Sequence, residues 1–474
     1  METNHQQHNK SGKFSTIFLM IAAVLFSLLF YQKNIGLNYL LFSILTAIIL
    51  ALNNSKTFHK KQTIYVIICY LLTGFAVFLY KYNLSIIANI LAFFTLVGRF
   101  SNHKSPIYIN WINGIYTTIV AAFTLHFEKL NTETDNLKKQ HINYVYWLKI
   151  IGIPMVIVLV FINLYRTGNP KFNELITNID FSFINFQWLV FTGLGYYLFY
   201  NITHPVAIEP LTSIDLLIKN DLHKDDLIEK NTQELTNEIQ LGVIVLISLN
   251  ILILLFLGTD IVYLSEIHQM TAPQLSQQVH TGVNALIISN LLAIAIILYF
   301  FRSSINFIKG NKNLKNLTFI WIFLNLIMIL ITAVKNTEYL FSFGLTYKRI
   351  GVLFFLLLTA IGLITTFFKV TKKKNLWYLF RKNTQIAFTV LIISSTINWD
   401  KIVTYYNINY AEQLDLHYLI NLSNNNTFLL KAYVEQNKIE SMKEIKINIK
   451  HRDYINDLQN NDWQEMLFDN FKIK

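Results

Sequence analysis

The sequence predicts an all-α protein, a polytopic transmembrane helical bundle with a small soluble C-terminal tail. Of the 474 residues, 53% are apolar and only 14% are charged, whereas roughly a quarter of residues are charged in soluble domains. Apolar stretches of about 17 to 24 residues recur about a dozen times, and each can cross a hydrocarbon core about 30 Å thick. An ordinary soluble protein is therefore excluded, and the lipid bilayer is the expected partner.

The apolar pattern predicts twelve membrane spans, with 11 to 13 possible. The spans lie at residues 14–31, 35–52, 62–80, 84–99, 105–127, 147–165, 185–201, 239–264, 278–301, 317–334, 349–369 and 384–398. The first is longer than the core of a signal peptide and lacks a small-x-small cleavage site, so we interpret it as a retained helix after a polar N-terminus at residues 1–13.

The charge pattern divides the chain into a first membrane half at residues 14–201 and a second at residues 239–398. Residues 202–238 interleave acidic and basic side chains, Asp215 among them, and are expected to form a charged, solvated connecting loop. Residues 399–474 are expected to form the soluble tail, either as a small appended domain or as a partly ordered segment.

Two amphipathic segments lie outside the spans. A helix lying on the membrane is predicted after Asn169 and Pro170, with a connecting loop as the alternative; its apolar positions are Phe172, Leu175, Ile176, Ile179 and Phe183. A short helix in the tail is predicted from the spacing of Ala411, Leu414, Tyr418, Leu419 and Leu422.

Lys and Arg in short loops predict the orientation. The loops at 302–316 and 369–383 hold four and six basic residues, whereas those at 265–277 and 335–349 hold none and three. The first two loops are therefore expected to face the cytoplasm and the tail to lie on the outer face, in a bacterial inner membrane. Lys56, Lys60 and Lys61 disagree with this orientation if all twelve spans are real, and one misjudged span before residue 202 would remove the conflict.

The net charge of +12 does not predict nucleic-acid binding. From Asp400 onward there are nine basic and eleven acidic residues, so the positive excess lies in short loops where lipid headgroups are the natural counterions. Cys69 is the only cysteine, which excludes an intrachain disulfide and a multi-thiolate metal site. No standard catalytic or nucleotide-binding motif occurs, so no cofactor or metal is expected and an enzyme is less favoured.

Ionisable side chains of both signs converge at the predicted outer ends of the last five spans. They are Asp260, Glu266, His280, Lys335, Glu338, Arg349 and Asp400. Charges near a bilayer must pair or reach water, so the cluster is either a functional site or a set of structural ion pairs and snorkelling side chains. Amides inside the spans either bond between helices or line a polar path; they are Asn250, Asn284, Asn290 and Asn325.

Three stretches resemble a bacterial multi-pass membrane family. Residues 339–349, with Tyr339, Gly344, Leu345, Thr346 and Arg349, resemble an aromatic-x-x-x-x-Gly-Leu-Thr-x-x-Arg signature. Residues 279–283 resemble a second motif, and Asn398-Trp-Asp400 with Asn407 and residues 414–419 resembles the closing segment. The family is a domain of unknown function, the 4173 type with 4153-type relatives. The sequence departs from its pattern at Lys335, where Arg is expected, and at Ser423-Asn424-Asn425. The resemblance implies a multi-pass membrane protein and no established activity.

The Gly-Leu-Thr element predicts a tight turn into a span. Gly344 can adopt positive φ, Thr346 can cap the next helix, and Arg349 falls in its first turn, where the helix dipole disfavours a cation. Arg349 is therefore expected to pair with Asp400, Glu338 or Asp260, and coupling to Asp400, directly or through one side chain, is the specific prediction.

Three hypotheses of function follow. The first is transport or ligand sensing through the polar cluster. The second is an envelope enzyme that acts on a lipid-linked or cell-wall substrate and uses the acids and His280. The third is a structural or regulatory subunit of a membrane complex, with a membrane-protein partner and the tail as docking module. The substrate is not predicted.

Overall fold

The computed structural model describes residues 14–133, 144–177, 185–222, 232–266 and 272–473, and these residues fold almost entirely into helices. In chain order the helices are α1 (Thr16–Phe30), α2 (Leu37–Asn53), α3 (Ser55–Phe58), α4 (Lys61–Tyr80), α5 (Asn83–Ser101), α6 (Ile107–Glu133), α7 (Tyr144–Gly168), α8 (Pro170–Thr177), α9 (Phe186–Thr203), α10 (Glu209–Leu217), α11 (Thr232–Glu266), α12 (Ala272–Phe300), α13 (Lys312–Phe343), α14 (Tyr347–Thr371), α15 (Leu376–Ser395), α16 (Trp399–Tyr410), α17 (Leu416–Ile420), α18 (Thr427–Gln436) and α19 (Ser441–Gln459). Short 3-10 turns follow some of them. Within the described ranges the only β pairing is an isolated bridge between Asp221 and Lys374. The all-α prediction is confirmed.

Each of the twelve predicted spans coincides with one of these helices. Six described helices are long and apolar enough to cross a membrane, namely α4, α5, α11, α12, α13 and α14, and a seventh span results if α15 and α16, which are bent by 65°, count as one. The protein is therefore a multi-pass, membrane-embedded helical protein. The count of twelve stays a prediction.

The chain divides into two compact units with boundaries after residues 33, 115 and 206, and the second of these falls inside α6. Unit 1 comprises residues 1–33 and 116–206, and unit 2 comprises residues 34–115 and 207–474. The domain bounds drawn from charge along the chain stay a prediction. Each compact unit combines two separate segments of the chain.

In unit 1, α1 packs on α9 through a close approach at Gly195. A side chain there would meet the ring of Phe26 at 2.7 Å, and Phe26 stacks on Phe191 with ring centroids 5.2 Å apart. Asn201 joins α9 to α6, since its amide donates to the carbonyl of Thr118 at 2.9 Å and accepts from the Ala122 amide at 2.7 Å. Small and amide residues therefore supply the close interhelical contacts of this unit.

Helix α8 confirms the predicted helix after Asn169. The Asn169 side chain accepts hydrogen bonds from the amides of Lys171 at 3.0 Å and Phe172 at 3.2 Å, which caps the first turn. Two of the predicted apolar positions, Ile179 and Phe183, lie outside the described residues. Its position on the membrane surface stays a prediction.

In unit 2, a buried amide links α2, α4 and α5. The Asn89 amide donates to Ser43 Oγ and Thr73 Oγ1, each at 3.1 Å, and to the carbonyl of Tyr70 at 3.2 Å. A side chain at Gly98 would overlap the backbone of Asn110, so glycine is required where α5 meets α6. Polar bonds and glycine contacts thus hold these helices together where lipid offers no hydrophobic driving force.

Helices α11 to α14 enclose the largest apolar core of unit 2. Leu246, Ile297, Trp321 and Leu363 are each at most 4% exposed and belong to one cluster. The Asn250 amide crosses from α11 to the Leu317 carbonyl on α13 at 3.1 Å. The interhelical interpretation therefore holds for Asn250.

Among the described residues, the other three span amides form no such link. Those of Asn290 and Asn325 bond to carbonyls four residues earlier in their own helices, both at 2.8 Å, and Asn284 is exposed.

The end of the tail docks on the start of α2. The amides of Leu37 and Asn38 donate to the carbonyls of Met466 at 2.9 Å and Gln464 at 2.8 Å. Gly36 must be glycine, because a side chain would overlap the carbonyl of Glu465. Within residues 427–472, α18, α19 and a final 3-10 turn pack together. Whether the tail forms a separate appended domain stays a prediction. Of the predicted tail helix, only Tyr418 and Leu419 lie in a helix, the short α17, in which Leu416 and Leu419 are buried; Ala411, Leu414 and Leu422 lie outside it.

The helices of unit 2 have two distinct ends. At the tail end, Tyr82 precedes α5, Tyr347 opens α14, and Asp400 follows α15. At the basic end, Arg99 lies in the last turn of α5 and Arg381 in the second turn of α15. Helices α5 and α15 run antiparallel, since Ser85 near the start of α5 donates to the carbonyl of Ser395 at the end of α15 at 2.7 Å.

Candidate functional site

The predicted polar cluster resolves into three groups at the tail end of unit 2. The first is an ion pair between α13 and α11, in which Lys335 Nζ lies 2.6 Å from Asp260 Oδ1. The Lys335 ammonium also lies 4.7 Å from the ring centroid of Tyr263. The two side chains are only 16% and 13% exposed, so each charge depends on the other for compensation.

The second group surrounds Arg349. Its Nη1 donates to the carbonyl of Phe343 at 2.7 Å and to that of Gly344, which end α13. The guanidinium lies 3.7 Å from the ring centroid of Tyr339. The carbonyl end of a helix carries partial negative charge, so Arg349 is stabilised by the dipole of α13 although its own helix disfavours it.

The third group centres on Asp400, which is 2% exposed. Its Oδ1 accepts from the hydroxyl of Tyr347 on α14, and its Oδ2 accepts from the hydroxyl of Ser423 and, at 3.5 Å, from the amide of Asn425. Asp400 also lies in the first turn of α16, where the helix dipole favours an anion. Neutral donors and a helix terminus therefore stabilise this buried acid.

The expected direct pairing of Arg349 with an acid is wrong. Among the described residues, Arg349 forms no ion pair, and it and Asp400 have separate partners. Main-chain carbonyls satisfy the guanidinium. No sequence pattern indicates such a partner, because every residue has a carbonyl. Coupling of Arg349 to Asp400 through an intervening side chain stays a prediction. The Tyr418 hydroxyl accepts from the Tyr347 amide at 3.0 Å, and the charges of both Asp400 and Arg349 act on it.

The Gly-Leu-Thr element joins the membrane helices to α16. Gly344 has φ of +78°, and Thr346 caps α14 by accepting from the Arg349 amide at 3.4 Å, as predicted. The Asn407 side chain accepts from the Leu345 amide and donates to its carbonyl at 2.9 Å. A side chain at Gly344 would meet Asn407 Oδ1 at 2.6 Å, so the turn requires glycine both for φ and for space.

Lys450 of α19 holds the closing segment beside Asp400. Its ammonium donates to the carbonyls of Ile420 at 2.9 Å and Leu422 at 2.7 Å, and to Asn426 Oδ1 at 3.0 Å. Burial lowers the pKa of Lys450 to about 8, although attraction to Asp400 opposes that shift.

Two tyrosines of this region outside the spans also have shifted pKa values. Burial raises the pKa of Tyr82, which stacks on Tyr347 with centroids 6.0 Å apart, and of Tyr418, and the negative charge of Asp400 adds to both shifts. These hydroxyls therefore stay protonated near neutral pH.

Three further residues of the predicted polar cluster, His280, Glu266 and Glu338, are placed by their positions in the helices. His280 lies on α12 and Glu266 ends α11, but their side chains lie outside the described set. Glu338 lies on α13, partly buried and partnered. Within the described residues, no group of three or more His, Cys, Asp and Glu side chains could hold a metal ion.

Sequence reasoning missed the donors to Asp400, namely Tyr347, Ser423 and Asn425. The only signal was that residues 423–425 depart from the resembled closing segment, which placed polar side chains near the end of that motif. Hydroxyls and amides are too common in a sequence to indicate a buried carboxylate by themselves.

The fold and this site define a multi-pass helical membrane protein whose tail is fastened to its membrane helices. Residues 14–432 match the family described as "Domain of unknown function (DUF4153)", and the chain belongs to that family. The resemblance to the 4153 type is therefore confirmed, and the 4173 name is not. No curated protein and no solved structure matches the chain.

Proposed function

We propose that the protein is a membrane-embedded ligand sensor, in which a change in the membrane helices at the tail end alters how the tail is held. The observation that carries the proposal is the Asp400 network. One buried carboxylate receives hydrogen bonds from α14, through Tyr347, and from the closing segment, through Ser423 and Asn425. A shift of α14 would remove the Tyr347 hydrogen bond from a carboxylate that is only 2% exposed, where little water is available to replace it.

The Asn407 contact supports the same proposal, because it ties α16 to the turn between α13 and α14. A ligand can bias such a junction only by binding one arrangement more tightly than another. The packed, buried contacts favour two discrete arrangements over gradual deformation.

Amide hydrogen exchange of the full-length protein in nanodiscs tests the sensor. Tyr347→Phe removes one hydrogen bond to Asp400 and should lower the free energy of local opening in α18 and α19 by about 1.4 kcal/mol. Amide exchange there should then be about tenfold faster, while α4 and α5 stay protected. Tyr405→Phe, on an exposed tyrosine of α16, is the matched control and should change nothing. Unchanged tail exchange in Tyr347→Phe would refute the proposal.

A phenotype assay in cells separates the sensor from the other two hypotheses. A sensor requires both the tail and the junction, so deletion of residues 411–474 and Tyr347→Phe should have the same effect. A structural subunit requires only the tail. An enzyme would lose activity in Asp400→Asn or His280→Ala with tail exchange unchanged.

Transport is the second candidate, and the Lys335–Asp260 ion pair favours it. Both residues lie inside long apolar helices, where ionisable pairs often mark an ion path. Proton flux into proteoliposomes under a potassium diffusion potential tests it. Asp260→Asn should abolish the flux, whereas Glu209→Gln, exposed on α10, should not. Absence of proton flux in the wild-type protein would reject the transport hypothesis.

A further inference from the structure

The basic end of unit 2 contains a cavity of about 290 Å³ lined by four cations and one acid. The cations are Arg99, Lys104, Arg381 and Lys382, and the acid is Asp215. Four separate segments contribute: the starts of α4 and α15, the turn from α5 to α6, and the end of α10. The volume lies just below the range of about 300–1,000 Å³ typical of ligand pockets, so it suits a small group.

Arg99 is a buried cation without a counter-ion. It is 4% exposed, and no acidic side chain pairs with it in the described part of the chain. Its Nη atoms donate to the carbonyls of His103 at 2.8 Å and Ser105 at 2.7 Å and to Gln62 Oε1 at 2.7 Å, which fixes the guanidinium. Its Nε and the Ser105 hydroxyl are buried with no partner among the described residues.

Arg381 is held in place by the segment that the sequence analysis treated as solvated. Its Nη2 lies 3.2 Å from Asp215 Oδ2, and Nη1 donates to Ile218 O at 2.9 Å and Asn220 Oδ1 at 2.7 Å. Asp215 also accepts from the Tyr108 hydroxyl and is 4% exposed. The expectation that Asp215 lies in a solvated loop is therefore wrong. Asp215 offsets only one of the four positive charges.

Lys104 and Lys382 are exposed at the cavity, and their ammonium groups remain able to meet a ligand. The positive charge also affects His103. Its pKa is lowered by burial and then by the charges of Lys60, Lys104 and Arg99. A buried charge that lacks compensation is costly, and an anion would supply that compensation.

We propose that this cavity binds a phosphate group, as carried by the headgroup of an anionic lipid or by free phosphate. Two fixed guanidinium groups and two mobile ammonium groups match the charge and the several acceptor oxygens of a phosphate. The cavity lies at the ends of membrane helices, the depth at which headgroups are available, and basic pockets between such helices commonly bind them. The proposal is independent of the sensor, because it concerns the opposite end of unit 2.

The test uses the full-length protein in a non-ionic detergent and follows its thermal unfolding. The probes are dioctanoyl phosphatidic acid, dioctanoyl phosphatidylcholine and inorganic phosphate. Phosphatidic acid should raise the melting temperature in a concentration-dependent way, whereas phosphatidylcholine, with the same chains and no net charge, should not. Equal protection by inorganic phosphate would identify free phosphate as the source, and protection by phosphatidic acid alone would identify lipid.

The double variant Lys104→Gln/Lys382→Gln should weaken the apparent affinity for the protecting probe about tenfold, or 1.4 kcal/mol. Lys372→Gln is the matched control, since it removes an exposed lysine from the same end outside the cavity and should leave affinity within about twofold. No protection by any anionic probe, or the same protection in the double variant as in the wild-type protein, would overturn the proposal.

Discussion

The two ends of unit 2 treat buried charge in opposite ways. At the tail end, the buried anion Asp400 is satisfied by two hydroxyls and an amide of the same chain. At the basic end, the buried cation Arg99 has only neutral acceptors, and three further cations outweigh Asp215 around the same cavity. At the tail end the described residues of the chain therefore satisfy the buried charge, whereas at the basic end the described side chains leave an excess of positive charge, which the proposed phosphate would offset.

The largest effect expected concerns the side of the membrane that each end of unit 2 faces, because a reporter fused there is either active or inactive. Because the loop at 369–383 is rich in Lys and Arg, we expect a phosphatase fused after Lys374 to be inactive and one fused after Tyr410 to be active. Alkaline phosphatase activity in whole cells measures this. The opposite pattern would place the basic end, with its cavity, on the outer face of the membrane and the tail end on the cytoplasmic face.

Removal of the buried acid Asp400 should cost more stability than a change in the turn at Gly344. Asp400→Ala leaves the half-buried Tyr347 hydroxyl and the Ser423 hydroxyl without their acceptor, at about 3 kcal/mol. Lys401→Ala, at the exposed neighbouring position, should cost less than about 0.5 kcal/mol. Chemical denaturation in detergent measures both, and equal effects would show that the network does not stabilise the fold.

The turn at Gly344 should tolerate no side chain. Gly344→Ala combines a φ of +78° with the clash against Asn407 and should cost about 2 kcal/mol. The control is Gly351→Ala in the first turns of α14, where the added methyl meets open space and should stabilise by about 0.5 kcal/mol. Melting temperatures of the two variants should therefore move in opposite directions.

The smallest effect expected is the coupling of Arg349 to Asp400. Because their direct partners differ and the described contacts link them through Tyr347 and Tyr418, the interaction energy should be about 0.5 kcal/mol. A double-mutant cycle with Arg349→Ala and Asp400→Ala in the denaturation assay measures it. A value of about 3 kcal/mol would instead indicate a direct ion pair.

Much of the fold was accessible from sequence because lipid imposes long apolar runs that leave few alternatives to helices. The turn at Gly344 and the cap at Thr346 were accessible too, since only certain residues adopt those conformations cheaply. The docking of residues 464–466 on α2 was not, because no periodicity relates segments so far apart.

Partners of the charged residues were harder to predict. Arg349 uses carbonyls and the ring of Tyr339, which leave no charge signature in a sequence. Asp215 lies in a run of mixed charges typical of a solvated loop, yet it is buried against Arg381. Charge along a chain indicates how many ions must be accommodated and gives no information on which of them the fold encloses.

The contact between α2 and the tail sets an order of events during synthesis. The carboxylate that holds Asn34 belongs to Glu465, 431 residues later in the chain. At about 5–20 residues per second, the ribosome needs about 20 to 90 s to reach that point after making the start of α2. Until then the first amides of α2 lack these acceptors, so the hydrogen bonds between this helix and the tail form only when translation of the tail is almost finished.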